Sequence, residues 1–177
     1  MKPDSQVLEG ELLWTPTAER VAGANITGFV DWLAARGRRF DGYGALWRWS
    51  VTDLEGFWQA VWDYSGIESA VPPARVLGSR GMPGAQWFPG ARLNYAQHVL
   101  RNERPGQDAV LFRSETTPVA GVPWQRFAGQ VRILATRLRE MGVRPGDRVA
   151  SCLPNIPQAV IAMLATTSIG ATTGKPA

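Results

Sequence analysis

The sequence is poor in the residues that most catalytic and metal sites are built from. It has one cysteine, Cys152, and one histidine, His98. One cysteine excludes an intrachain disulfide, which fits a reducing compartment. One cysteine and one histidine exclude a thiolate–imidazole zinc site. Lysine is scarce as well, only Lys2 and Lys175, so the net charge of +4 comes from arginine. The arginines are scattered: Arg36, Arg38, Arg39, Arg75, Arg80, Arg92, Arg101 and Arg104, then Arg132, Arg137 and Arg139 on one expected helix. Asp and Glu are interspersed among them, which describes a solvated surface rather than a nucleic-acid or membrane patch. No apolar run approaches the length that spans a bilayer, and Met1-Lys2-Pro3-Asp4-Ser5 has no apolar signal core. The expected location is cytoplasmic.

Tryptophan is abundant, with eight residues in 177. Aromatic side chains bury large areas, so the N-terminal part is expected to pack around them. Thr15-Pro16 reads as cap and first residue of a short helix. A second helix begins at Asn25 or Thr27, with Ile26, Phe29, Val30 and Leu33 at helical spacing and Gly37 as its stop. Tyr43 to Trp49 forms another apolar, aromatic segment. Thr52 and Glu55 match a capping box for a helix whose apolar face is Leu54, Phe57, Trp58, Val61 and Trp62. Core packing explains that stripe better than a ligand box does. Residues 67–91, rich in proline and glycine, read as an irregular connection.

Trp87-Phe88-Pro89-Gly90-Ala91-Arg92-Leu93-Asn94-Tyr95 is the junction. Pro89-Gly90 breaks regular structure, and Asn94 caps a helix through His98 and Leu100. The pattern then alternates. Ala109–Phe112 is a short apolar strand, and 114–123 a turn between short strands. Phe127, Val131, Leu134, Leu138 and Met141 form one face of a long helix ended by Gly142. Arg148–Leu153 is a strand. Pro157 opens a helix with Ala159, Val160, Met163 and Leu164 inward, and Ile169-Gly170-Ala171 leads toward a third strand. Such alternation implies a parallel sheet with crossover helices, which normally needs four or more strands. The domain therefore reads as incomplete.

Few residues are candidates for chemistry. His98 is expected to be a packing or capping residue, and Cys152 a buried thiol within its strand. Thr172-Thr173-Gly174-Lys175-Pro176 has the small residues and lysine of a phosphate-cradling loop, but reads better as a frayed terminus.

Several strings together resemble one family. Ala45-Leu46-Trp47-Arg48-Trp49-Ser50-Val51 with Asp53–Trp58 looks like the N-terminal region of acetoacetyl-CoA synthetases. The junction string through Ala96 is similar to the stretch joining that region to the adenylating domain. Gly142 to Ala150, Leu153-Pro154-Asn155-Ile156-Pro157 and Ile169-Gly170-Ala171 resemble the opening of that domain in acyl-CoA ligases generally. The resemblance covers roughly residues 12–171. It implies an α/β protein in which a tryptophan-rich helical region, 1–100, precedes the first units of an AMP-binding adenylating domain, 101–177. It implies a two-step ligase that uses ATP, magnesium and coenzyme A to convert acetoacetate into its thioester through an acyl-adenylate. Those small molecules are the expected partners; nucleic acid and membrane are not.

The family's adenine and ribose contacts, its hinge and its C-terminal lysine have no counterpart among these residues. No catalytic, cofactor-binding or metal-binding residue is therefore assigned, and the chain alone is expected to bind no cofactor and to be inactive. The alternative expectation is a non-catalytic interaction module, or a degraded-gene product derived from an acetyl- or propionyl-CoA synthetase-like enzyme.

Overall fold

A computed structural model describes residues 9–174. The chain divides into two compact units, one up to Gly66 and one from Ile67 onward.

The first unit is helical: α1 (Ala18–Ala22), α2 (Asn25–Ala34), α3 (Tyr43–Thr52) and α4 (Leu54–Tyr64). Its starts differ from the sequence expectation in instructive ways. α1 is capped by Thr17, not Thr15, because the Thr17 hydroxyl accepts from the Arg20 amide at 3.3 Å. α4 is capped by Asp53, not by a Thr52–Glu55 box. Thr52 closes α3, and its hydroxyl already donates to the Arg48 carbonyl at 2.8 Å. Asp53 then accepts from the Gly56 amide at 3.0 Å.

The core of this unit is Phe29, Leu33, Leu46 and Trp49, with Val30, Trp32, Phe40, Phe57 and Val61 against it. Of the eight tryptophans only Trp49 is buried, so the unit packs around one indole and several phenyl rings. Phe40 and Phe57 lie 5.2 and 5.4 Å from Trp49, and Tyr64 lies 5.0 Å from Phe29. Tilted and edge-on pairs of this kind add to simple area burial. Ile26 and Trp58, placed inward by periodicity, are exposed.

The second unit starts with a small antiparallel hairpin inside the expected irregular connection: β1 (Leu77–Ser79) and β2 (Gln86–Trp87), with Leu77 opposite Trp87. α5 (Tyr95–Leu100), β3 (Asp108–Phe112), β4 (Ala120–Pro123), α6 (Trp124–Glu140), β5 (Arg148–Ala150), α7 (Pro157–Ser168) and β6 (Thr172–Gly174) follow.

The pairing corrects the expectation of one continuing parallel sheet. β3 pairs antiparallel with β4, Leu111 opposite Gly121 and Phe112 opposite Ala120. The intervening segment is a hairpin connection, too short for a crossover. β5 pairs in parallel with β6, Val149 opposite Thr173, and α7 is the crossover between them. Strand–helix–strand with parallel pairing is the unit the 142–171 strings implied.

α6 and α7 supply most of the core: Phe127, Val131, Ala135 and Leu138 against Ile161, Leu164 and Ala165, joined by Ala96, Val122, Ile169 and Ala171. Met141, placed on the inner face by spacing, is exposed, because the helix has reached its cap there and Gly142 turns the chain away at φ +90°.

Candidate functional site

The junction string becomes a fastening point of the second unit. The Asn94 side chain makes three bonds. Its Oδ1 accepts from the Gln97 amide at 3.2 Å, which caps α5 as expected. Its Nδ2 donates to the carbonyls of Thr167 and Ser168 at 3.0 and 3.2 Å. Those carbonyls lie in the last turn of α7, where helices leave acceptors without intrahelical partners; that of Thr167 also accepts from the Gly170 amide at 3.0 Å. One amide thus ties the first turn of α5 to the end of the crossover helix that feeds β6. Asn94 was legible as a cap. Its second role depends on a partner more than 70 positions away and has no local signal.

Segment 68–71 is strapped across the same region. The single Ser69 hydroxyl proton lies between the carbonyls of Val71 and Arg92, with Oγ 2.6 and 3.0 Å from them, and Oγ accepts from the Arg92 amide at 3.1 Å. His98 Nε2 faces the Glu68 carbonyl at 2.9 Å, so Nε2 is the ring nitrogen that donates. Its Nδ1 is buried with no hydrogen-bond partner. His98 therefore holds a strap to a helix, the packing role expected of it.

Between strap and helix is an open polar cleft of about 400 Å³, lined by Glu68, Ser69, Ala70, Arg92, Leu93, Asn94 and Gln97. The Glu68 carboxylate accepts from Gln97 Nε2 at 3.2 Å and sits 3.8 Å from Arg101. The cleft holds charges of both signs but no nucleophile paired with a base. Phe88, just upstream, adopts φ +47° although it is neither glycine nor asparagine and precedes a proline. That left-handed conformation costs on the order of 1–2 kcal/mol for such a residue. Its amide donates to the Val76 carbonyl at 2.7 Å, one of the bonds that hold it there.

In parallel α/β sheets, ligands sit beyond the carboxyl ends of the strands. Here that end is Ser151 and Cys152 after β5 and Gly174 at the close of β6. Thr172–Gly174, read from sequence as frayed, is a paired strand; Lys175 and Pro176 lie outside the described residues. Ser151 donates its amide to the Gly174 carbonyl at 3.3 Å, which is where the ladder stops. The strand expected to run to Leu153 ends at Ala150. Cys152 falls past the ladder and is exposed, not buried. On the amino side, the Thr172 amide donates to the Asp147 carbonyl at 2.8 Å, and the Asp147 carboxylate accepts from the Arg144 amide at 2.8 Å.

The Asp53 carboxyl in the first unit is electrostatically perturbed. The Trp49 indole, donating at 2.9 Å, lowers its carboxyl below the usual carboxylate range, the Gly56 amide adds to this, and Arg38 at 4.0 Å contributes last. The Arg38 guanidinium also lies 4.5 Å from the Trp49 ring. Each of these groups is accounted for by helix capping and packing.

Among the described residues no group of three His, Cys, Asp or Glu side chains is placed to hold a metal ion, and no helix is long and apolar enough to cross a membrane.

Residues 43–99 match the family model described as acetyl-coenzyme A synthetase N-terminus, and residues 100–173 match the model described as AMP-binding enzyme. The chain is 38% identical over 160 residues to the acetoacetyl-coenzyme A synthetase of Rhizobium meliloti (strain 1021), covering 90% of this chain and 24% of that protein. It is 35% identical over 170 residues to the acetoacetyl-CoA synthetase of Macaca fascicularis, covering 94% and 25%. The acetoacetyl-CoA synthetase structure from Streptomyces lividans superposes with a TM-score of 0.83 at 50% identity, covering 94% of this chain and 26% of that one. The chain thus spans about a quarter of the length of the relatives it matches.

Proposed function

We infer that this chain, which belongs to the adenylate-forming acyl-CoA synthetase superfamily, forms the amino-terminal part of an acetoacetate–CoA ligase. The observation that carries this reading is the match in both fold and sequence to the Streptomyces lividans synthetase across nearly the whole chain. The proposed reaction joins acetoacetate to coenzyme A at the cost of ATP, which leaves as AMP and pyrophosphate. A carboxylate is a poor electrophile. Transfer of an adenylyl group to it creates a good leaving group, which the thiol of coenzyme A then displaces.

Among the described residues no cluster by itself fits ATP, magnesium or coenzyme A. The polar cleft at Asn94 carries a carboxylate beside its arginine, and no metal-ligating cluster accompanies it. No step of the reaction is therefore assigned to a residue of this chain. The proposed role of these residues is scaffolding: the region 1–100 as the synthetase N-terminal region, and 101–177 as the start of the adenylating domain. The change of matching family model between residues 99 and 100 supports that division. The proposed setting is the cytoplasm.

The test is acetoacetate-dependent ATP–pyrophosphate exchange. The purified 177-residue chain is expected to give none above a blank. The same chain substituted for the matching quarter of the Streptomyces lividans synthetase is expected to support exchange. Exchange by the isolated chain would refute the scaffolding role, and a folded but inactive chimera would refute the ligase reading.

A further inference from the structure

Three elements of the second unit leave a gap where they meet. The β3–β4 hairpin, the first two turns of α6 and the first turn of α7 line a cavity of about 230 Å³. The hairpin contributes apolar side chains to it, Phe112, Ala120 and Val122. The helices contribute polar ones, Arg126 and Gln130 from α6 and Gln158 from α7. Arg126 and Gln130 are four positions apart, so they are neighbours on one helix face. No carboxylate lines the cavity. Asp108 is on the other side of the hairpin. A Cβ at Gly121 would meet its carboxylate, and Gly121 stands opposite Leu111, which is 69% exposed. Ala120 and Val122 alternate with Gly121 and so point to the opposite face. Arg126 has no ion pair among the described residues, whereas Arg132 and Arg137 on the same helix are held by Glu103 and Glu140.

We propose that this cavity binds the anion of a short-chain carboxylic acid, with the carboxylate on Arg126 and the alkyl end against Phe112 and Ala120. A guanidinium stays charged throughout the physiological range, and its fork of N–H donors matches a carboxylate with two parallel bonds. Gln130 and Gln158 bring amide donors for the remaining lone pairs of the same oxygens. The apolar wall sets the rest of the ligand. Inorganic phosphate is polar on every side and would lose water against Phe112 and Ala120 without compensation. A neutral ligand of the same length would leave the guanidinium without a counter-charge. Size excludes nucleotides and coenzyme A, since even drug-sized ligands occupy pockets of about 300–1,000 Å³. The larger cleft at Asn94 has no such preference, because Glu68 sets a negative charge beside its Arg92. The site lies wholly within the second unit, so the proposal does not depend on the ligase reading.

The test is a titration of the purified 177-residue chain with sodium butyrate, at ionic strength held constant with chloride and followed by NMR. Butyrate is expected to bind with a Kd on the order of 1 mM and to shift the signals of Phe112, Arg126, Gln130 and Gln158 most. The Arg126 side chain is exposed, so Arg126→Gln is expected to leave the Tm unchanged while weakening butyrate about tenfold or more. Arg126→Lys keeps the charge but loses the fork, and its affinity is expected to fall between the two. Gln158→Ala, on the other helix, is expected to weaken butyrate several-fold, and it decides the matter if Arg126→Gln does not fold. Butyrate binding undiminished in these variants would overturn the proposal, as would shifts centred elsewhere or no binding at 50-fold above that Kd. Butyramide binding as tightly as butyrate would overturn the role of the charge. Phosphate binding as tightly as butyrate would reduce the site to an unselective basic patch and overturn the assignment to carboxylic acids.

Discussion

Removing the Asp53 carboxylate is expected to loosen the first unit, and the size of the effect follows from what that group touches. It caps α4 through the Gly56 amide. An N-cap is worth about 1 kcal/mol. It accepts the Trp49 indole N–H at 2.9 Å in a partly buried setting. Such a bond is worth about 1 kcal/mol, and leaving the donor unpaired costs at least that. Its pairing with Arg38 spans 4.0 Å between side chains about half exposed. That pair adds at most about 0.5 kcal/mol. Asp53→Ala should therefore cost about 2 kcal/mol, a drop of roughly 10 °C in the melting of a unit this small. Asp53→Asn keeps one oxygen, which serves the Gly56 amide or the Trp49 indole but not both, so it should cost about 1 kcal/mol.

The assay is tryptophan fluorescence during thermal melting, which the aromatic core of the first unit reports directly. The pH dependence has a definite sign. A carboxyl held below its unfolded value stabilises the fold above the unfolded pKa, near about 3.9, and loses that contribution as pH falls through the folded value. The gap between the parent and Asp53→Asn should be constant from neutral pH to about pH 5 and should close below about pH 4. Asp53→Ala melting within a degree of the parent, or a gap that widens in acid, would refute the reasoning.

Three further outcomes are expected. Asn94→Ala should destabilise the second unit by about 2 kcal/mol in urea titration, from the lost cap and the two lost bonds to the Thr167 and Ser168 carbonyls, of which Thr167 keeps the Gly170 amide, and Asn94→Asp should recover only the cap, since a carboxylate cannot donate to Thr167 and Ser168. Leu164→Ala, at a position 1% exposed between α6 and α7, should cost about 2–5 kcal/mol by the same measurement. Cys152 should react with a thiol reagent in the native protein at close to the rate found in denaturant, whereas a thiol within a buried strand would react only on unfolding.

What the sequence made legible was periodic and local. The long face of α6, the Asn94 cap, the stops at Gly37 and Gly142 and the strand–helix–strand order of 148–174 all rest on signals within a few residues. What it hid was set by partners far along the chain. β3 and β5 both read as apolar strands, and only pairing partners distinguish a hairpin strand from a parallel one. The end of β5 at Ala150, and with it the exposure of Cys152, carries no local signal in the apolar run 148–153. The tryptophans look equivalent in sequence, yet Trp49 alone is enclosed, because Phe40 and Phe57 converge on it while Trp47, two positions earlier on the same helix, faces the other way. For Asn94, two of three bonds were invisible, since a side-chain amide shows its acceptor in the sequence but not the carbonyls it will find.

The Asn94 bonds also impose an order on biosynthesis. The contacts that define the first unit close within the first 66 residues, so it can form while the chain is still being made. The second unit cannot be fastened by Asn94 until Thr167 and Ser168, whose carbonyls its amide donates to, have left the ribosome. Until then the loop between them is open, and closing it carries the entropic cost of a long segment. During that interval α6 presents Phe127 and Val131 without the α7 residues that bury them. A ribosome that pauses before codon 168 would therefore hold out a folded helical unit trailed by an exposed apolar helix, the species a holding chaperone is built to cover.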